Sequence, residues 1–250
     1  MGALGPILAQ IVYLVGAGGA LALAAWLLAR RGERGLAAKA EAGALALTAC
    51  WSLAWVGVGP AASATSALLS LAYLAWLWTL YRLFAHDERD KGVGPIRSVV
   101  LALAFVELMA LALVVAHQQY AGAAAAQLAI AGFQTTLRLL FCIGALVLVH
   151  NLYAGAAQLA REALRWPAAA LAVLWLYDLN LATVTYLGDS VPQTLVMLRG
   201  VAMLAVVGML AIGSVRHDGN LKFQPSRSFT FQSFSLLVIG GYLVAMVLVA

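Results

Sequence analysis

Long apolar runs separated by short polar clusters set the pattern of this chain. A hydrocarbon core of about 30 Å is crossed by about 20 apolar residues in a helix. On that measure the runs predict eight helices. They lie over about Leu4 to Ala29, Ala42 to Gly59, Ala62 to Phe84, Arg97 to His117, Ala124 to Tyr153, Trp166 to Leu187, Gln193 to Val215 and Phe229 to Ala250. The runs are rich in Ala and Leu and apolar on every face. A membrane barrel would need short segments of alternating polarity. The pattern therefore predicts an all-α, polytopic membrane bundle of about eight transmembrane helices, forming a single domain over residues 1–250.

Composition agrees. The chain is 64% hydrophobic and 10% charged, with a mean hydropathy of +0.94. A soluble domain carries about 25% charged residues, so the lipid bilayer is the expected surrounding. The net charge of +5 comes from interhelical clusters, not from an aromatic-basic nucleic-acid module, and no nucleic-acid partner is expected. Arg30, Arg31, Arg34 and Lys39 follow the first helix. Arg82, Arg89, Lys91 and Arg97 follow the third, Arg161 and Arg165 the fifth, and Arg216, Lys222 and Arg227 the seventh. The alternate loops hold no Lys or Arg. By the positive-inside rule the basic loops face the cytoplasm, which puts both termini outside. A multi-pass protein of the bacterial inner membrane is expected. Trp76, Trp78, Tyr81 and Trp166 lie where interfacial rings are favoured. Gly16, Gly18, Gly19, Gly240 and Gly241 permit close helix approach.

Two arginines remain, and they lie inside spans. Four ionisable groups occupy positions where a charge costs about 2.5–3.5 kcal/mol on insertion scales: Glu107, Arg138, Asp178 and Arg199. Such groups turn inward and pair. Gln134 precedes Arg138 by four residues and shares its face. The fifth and sixth helices form a hairpin, and depth along it predicts an Arg138–Asp178 pair, with Glu107 as the competing partner. One reading of the set is an ion-pair network that fixes helix register. The other is a polar core that senses a ligand, a proton or a conformational change.

Much chemistry is missing. No Lys lies within a predicted span, which excludes a retinal Schiff base inside the bundle. No nucleophile elbow, phosphate loop or metalloprotease motif is present. His86, His117, His150 and His217 are scattered, and Cys50 and Cys142 are distant residues inside apolar runs. No metal, cofactor or catalytic residue is expected.

The second half carries a recognisable series of segments. Val149–Tyr153 reads Val-His-Asn-Leu-Tyr, Leu176–Leu181 reads Leu-Tyr-Asp-Leu-Asn-Leu, and Leu198–Gly200 reads Leu-Arg-Gly. Pro225–Ser233 then runs into Leu236–Leu243. In order and spacing these resemble the membrane region of PrsK-type histidine kinases of the exosortase/PEP-CTERM system, which is associated with exopolysaccharide production. The resemblance covers about residues 140–250; before that it rests on hydropathy and helix count. His150 stands where that family more often has Glu. The resemblance implies a two-component sensor region that signals as a homodimer and reaches a response regulator only through a kinase domain absent from this chain. It adds His150 to the candidate signalling core of Glu107, Gln134, Arg138, Asp178 and Arg199. The chain ends in an apolar run, Tyr242–Ala250, so a truncated amino-terminal sensor part is expected, with no kinase activity of its own. The alternative is a small transporter or channel that uses the Glu107, Arg138 and Asp178 cluster as its pathway.

Overall fold

The computed structural model describes residues 4–29, 36–84, 94–120, 122–156, 158–188 and 193–216. These form seven α-helices and, among the described residues, no strand: α1 Leu4–Ala29, α2 Leu36–Gly57, α3 Ser63–Phe84, α4 Gly94–Gln119, α5 Ala124–Gly155, α6 Gln158–Leu187 and α7 Gln193–Arg216. The eighth helix expected over Phe229–Ala250 lies outside the described residues, as do Gly240, Gly241, His86 and His217.

Six of the seven are long and apolar enough to cross a membrane. The exception is α2, where Lys39 and Glu41 open the helix and Thr48 and Ser52 are buried inside the bundle. Those two hydroxyls cost nothing in hydrogen bonds. Thr48 Oγ1 donates to Ala44 O at 2.7 Å and Ser52 Oγ to Thr48 O at 3.0 Å, satisfying polar groups where no water competes.

Several boundaries extend beyond the apolar runs. Lys39 belongs to α2, and Arg161 and Arg165 to the first turns of α6, rather than to loops. The reason for the last is local. Arg161 folds back, and its Nε and Nη2 donate to Ala156 O and Ala154 O at 3.0 and 2.9 Å. Those are carbonyls at the end of α5 that the helix itself leaves unpaired. The α5–α6 connection therefore shrinks to a residue or two, and α6 begins well before Pro167. Between α2 and α3 the chain turns at Gly59, whose φ of +96° favours glycine. Thr65 Oγ1 ties the turn by donating to Gly59 O at 2.8 Å.

Each helix packs on the next in sequence, α3 also touches α5, and α1 packs on α7, so the seven form a closed ring. The closure follows a parallel register. A Cβ built on Gly200 would meet Val12 and Tyr13, one on Gly16 Met203 and Leu204, and one on Gly19 Val207. The positions rise together along both helices, as an up-and-down ring with an odd number of members demands. Large apolar side chains such as Leu101, Phe105 and Leu128 stand exposed at 60, 64 and 78%. On this ring they form the lipid-facing surface.

The core is densest in one half. Leu77, Leu80, Phe141, Leu148, Leu152, Leu171 and Trp175 are essentially inaccessible, and all lie toward the end where α3 and α5 finish and α6 begins. That same end carries Lys39, Arg82, Arg97, Arg161 and Arg165. Trp76 is a correction to the interfacial reading. It is buried, and its Nε1 donates to Thr48 Oγ1 at 2.9 Å. Trp78 is exposed beside Tyr81, with Arg82 over its ring at 5.6 Å, as an interfacial ring should be.

Ring closure is sensitive at Gly200, where an added Cβ would lie 2.9 Å from Val12 Cγ1. Gly200→Leu should destabilise the purified protein by about 1–3 kcal/mol through overpacking. Gly18→Leu, with nothing within 4 Å, should leave the melting temperature nearly unchanged. Equal melting temperatures for the two variants would contradict this account of the α1–α7 contact.

Candidate functional site

The four charged groups inside the helices meet as two ion pairs, each within one hairpin. Glu107 of α4 takes Arg138 of α5, with Nη1 donating to Oε1 at 3.0 Å. Asp178 of α6 takes Arg199 of α7 in a two-point contact. Nε donates to Oδ1 at 2.7 Å and Nη2 to Oδ2 at 2.9 Å, the planar fork that makes arginine–carboxylate pairs strong. The expected Arg138–Asp178 pair does not form. Helices α5 and α6 do pack as a hairpin, but Tyr73 of α3 lies between the two side chains. Arg138 Cζ sits over the Tyr73 ring at 4.2 Å, while the Tyr73 hydroxyl donates to Asp178 Oδ2 and accepts from Arg199 Nη2 at 3.2 Å.

From this centre the contacts reach the remaining helices. Arg199 Cζ lies over the Trp51 ring of α2 at 4.2 Å. A desolvated cation–π contact of this kind contributes about 2 kcal/mol. Tyr13 of α1 stacks on Trp55 at 4.2 Å and meets Trp51 edge-on at 5.6 Å. Its hydroxyl donates to Val196 O of α7 at 3.0 Å. Tyr177 of α6 likewise donates to Leu195 O of α7. Below Tyr73, Phe141 stacks on its ring at 5.2 Å and meets Trp175 edge-on at 6.3 Å. One connected set of polar and aromatic contacts thus links all seven helices at a single depth.

Above the ion pairs a cavity of about 220 Å³ opens toward the end of the bundle opposite the basic residues. Arg138, Asp178, Arg199 and Tyr73 form its floor. Ser66, Ser70, Gln134, Thr135 and Thr185 supply polar walls, and Leu69, Val114 and Leu181 apolar ones. The floor is electrically lopsided although its formal charge is balanced. The side chains of Arg138 and Arg199 are 19 and 14% accessible, against 1 and 3% for Glu107 and Asp178. The two arginines line the cavity with more exposed side chains than the nearly buried Asp178, and Glu107 stands outside the lining. Glu107 Oε2, buried beside Ser70, has no hydrogen-bond partner among the described residues. A second void of about 20 Å³ lies on the other side of Asp178, between Thr48 and Tyr177, enough for about one water.

Of the residues singled out from the sequence, Glu107, Arg138, Asp178 and Arg199 come together, and Gln134 lines the cavity above them. His150 does not join them. It is exposed near the far end of α5, on the helix face opposite the buried Leu148 and Leu152. Cys50 is exposed and Cys142 buried, both free. Among the described residues no group of His, Cys, Asp and Glu is arranged to hold a metal. The residues missed at first reading are Tyr73, Trp51 and Tyr13. A signal for the first was present: Ser66, Ser70 and Tyr73 recur at the four- and three-residue spacing that puts them on one helix face.

The pairing has a measurable consequence. Asp178→Ala strands Arg199 in a low-dielectric site and should cost about 3–5 kcal/mol. Adding Arg199→Leu should recover part of that loss, whereas adding Arg138→Leu to Asp178→Ala should deepen it. Thermal or denaturant unfolding in detergent distinguishes the two. Recovery by Arg138→Leu instead would mean that the pairs are assigned the wrong way round.

No known family model matches this chain, and neither does any curated protein or solved structure.

Proposed function

We propose that this chain is a membrane-embedded sensor domain that receives a small ligand from one side of the bilayer. The observation that carries this reading is the blind end of the cavity. A transporter or channel needs a route through the bundle, but beneath Tyr73 the ring is filled by Trp76, Leu77, Phe141, Leu148 and Trp175, all 2% exposed or less. A cup that ends on two ion pairs suits binding and response better than passage. The response would lie in the floor itself. The α4–α5 and α6–α7 hairpins each hold their own pair, and Tyr73 is the link between them. A ligand that draws on Arg138 or Arg199 would shift one hairpin against the other, biasing a two-state element as ligand-driven signalling requires.

With the basic end in the cytoplasm, the cup faces outside, and the first residue of α1 lies on the outer side. The series of segments over residues 149–243 supports a role as the sensor region of a histidine kinase concerned with exopolysaccharide. In that setting the chain would sit in a bacterial inner membrane, pair with a second copy, and reach a response regulator through a kinase domain.

Three measurements test this reading. In intact cells Thr185→Cys, on the cavity wall, should react with a membrane-impermeant thiol reagent added outside, and Leu148→Cys should not. The reconstituted chain should pass no ions or small solutes. Reproducible solute flux through liposomes containing only this chain would replace the sensor by a transporter. At the native locus, Tyr73→Phe should change transcription of exopolysaccharide genes while protein levels hold. Unchanged transcription would remove the signalling assignment.

A further inference from the structure

The floor of the cavity specifies what it would hold. We propose that the ligand is a small carboxylate, seated with its charged group on Arg138 and Arg199 and its remainder against the hydroxyl-bearing walls. This inference rests on the sensor reading and adds the chemical class.

A guanidinium has five N–H groups. Arg138 uses only Nη1, toward Glu107, and among the described residues its Nε and Nη2 have no partner. Arg199 uses Nε and Nη2 toward Asp178 and Tyr73, and its Nη1 likewise has none. Both groups line the cavity and are more accessible than the carboxylates that neutralise them: Glu107 is not part of the lining, and the Asp178 side chain on the floor is only 3% accessible. An incoming cation would meet two guanidiniums first. An incoming neutral amide could accept from them without relieving their charge. An incoming carboxylate accepts from Nε or Nη2 of Arg138 and from Nη1 of Arg199 with charge-assisted bonds, roughly twice as strong as neutral ones. The Tyr73 side chain touches both guanidiniums, one over its ring and one at its hydroxyl, and the proposed carboxylate sits beside it, between them.

Size and wall chemistry narrow the class. The volume of about 220 Å³ lies below the ~300–1,000 Å³ of pockets that take drug-sized molecules. It corresponds to a molecule of amino-acid size or smaller. Gln134 offers a donor and an acceptor, and the hydroxyls of Thr135 and Thr185, which donate to Ala131 O and Leu181 O, offer acceptors, to a second polar group at the far end of such a molecule, while Leu69 and Leu181 line the stretch between.

The test uses three probes of matched length and a shared hydroxyl tail: 4-hydroxybutyrate, 4-hydroxybutyramide and 4-amino-1-butanol. Each is added to the full chain in detergent, and binding is read from the rise in melting temperature with concentration. The carboxylate should raise it, and the amide and the amine should not. Glu107→Gln combined with Arg138→Gln removes one floor charge without stranding its partner. It should weaken carboxylate binding about ten- to hundredfold, the loss expected for one hydrogen bond to a charged group. Gln134→Leu, which leaves both ion pairs in place, should weaken it too and serves if the double variant does not fold. Stabilisation by the amide or the amine at least as strong as by the carboxylate would overturn the proposed class and leave the sensor reading standing. So would unaltered carboxylate binding in both variants, because the ligand would then sit elsewhere. If no probe binds although Thr185→Cys is labelled from outside, the carboxylate proposal falls alone. If no probe binds and Thr185→Cys is not labelled, both readings fall.

Discussion

The structure depends on one constraint: four ionisable side chains lie at a depth where lipid offers no solvation. Each alone would cost several kilocalories per mole or snorkel away. Together they cost much less, but only if the helices place each acid against a base. Glu107 with Arg138 fixes α4 against α5, and Asp178 with Arg199 fixes α6 against α7. Apolar packing by itself is a poor arbiter of register here, since lipid tails solvate Leu and Ala about as well as a neighbouring helix does. The ion pairs are the most register-specific contacts within the bundle. Tyr73 extends that specificity to α3 by serving both pairs, and Trp51 and Tyr13 extend it to α2 and α1.

The ring closes because small residues allow it to. Gly200 neighbours Arg199, so the backbone of α7 approaches α1 closely just where its side chain enters the bundle. The two features support one another. Without the close approach Tyr13 would not reach Val196 O or pack beside Trp51. Without that aromatic group Arg199 would lose the surface over which its guanidinium lies. A second glycine plays the same part on the opposite side. Gly144 of α5 faces Leu103 of α4, and a Cβ there would fall 2.5 Å from Leu103 Cδ2. That contact lies on the hairpin that carries the other ion pair.

Much of this was legible in the sequence, and the misses have two causes. Seven of the expected helices fall on α1–α7, and six of these are long and apolar enough to cross a membrane, as the run Ile96–Gln119 illustrates. Glu107, Arg138, Asp178 and Arg199 stood out because a charge among Leu and Ala is rare for energetic reasons. Their partners could not be read with equal security. Depth follows from counting residues at 1.5 Å each, and by depth Arg138 suits Asp178 about as well as Glu107. What decides is the direction in which each helix face points, and that depends on all neighbours at once. The stripe of Ser66, Ser70 and Tyr73 held that information for α3. It marked a polar face on α3, which in the structure turns inward onto Arg138 and Asp178. The helix ends at α2 and α6 were missed for another reason. Lys39 and Arg161 are polar and read as loop, yet at the membrane surface a helix continues readily into charged residues. Arg161 there satisfies the carbonyls of the preceding helix.

The position of the cavity follows from the same energetics. A buried ion pair needs its remaining hydrogen-bonding groups satisfied, and two arginines bring more donors than two carboxylates and one phenol accept in this geometry. A fully packed apolar lid over Arg138 and Arg199 would leave the surplus N–H groups stranded at a cost of about 1–3 kcal/mol each. An open space lined by Ser66, Gln134, Thr135 and Thr185 lets water or a solute accept from them. On the opposite side of Tyr73 the bundle is filled by Phe141 and Trp175, and the one donor these two rings bring, the buried indole N–H of Trp175, is a far smaller demand than two guanidiniums make. The arginine–carboxylate layer thus separates a half that must stay wet from a half that can be dry. A solute admitted to the wet half meets the one layer that every helix shares, so its binding energy is applied where the relative positions of the helices are set.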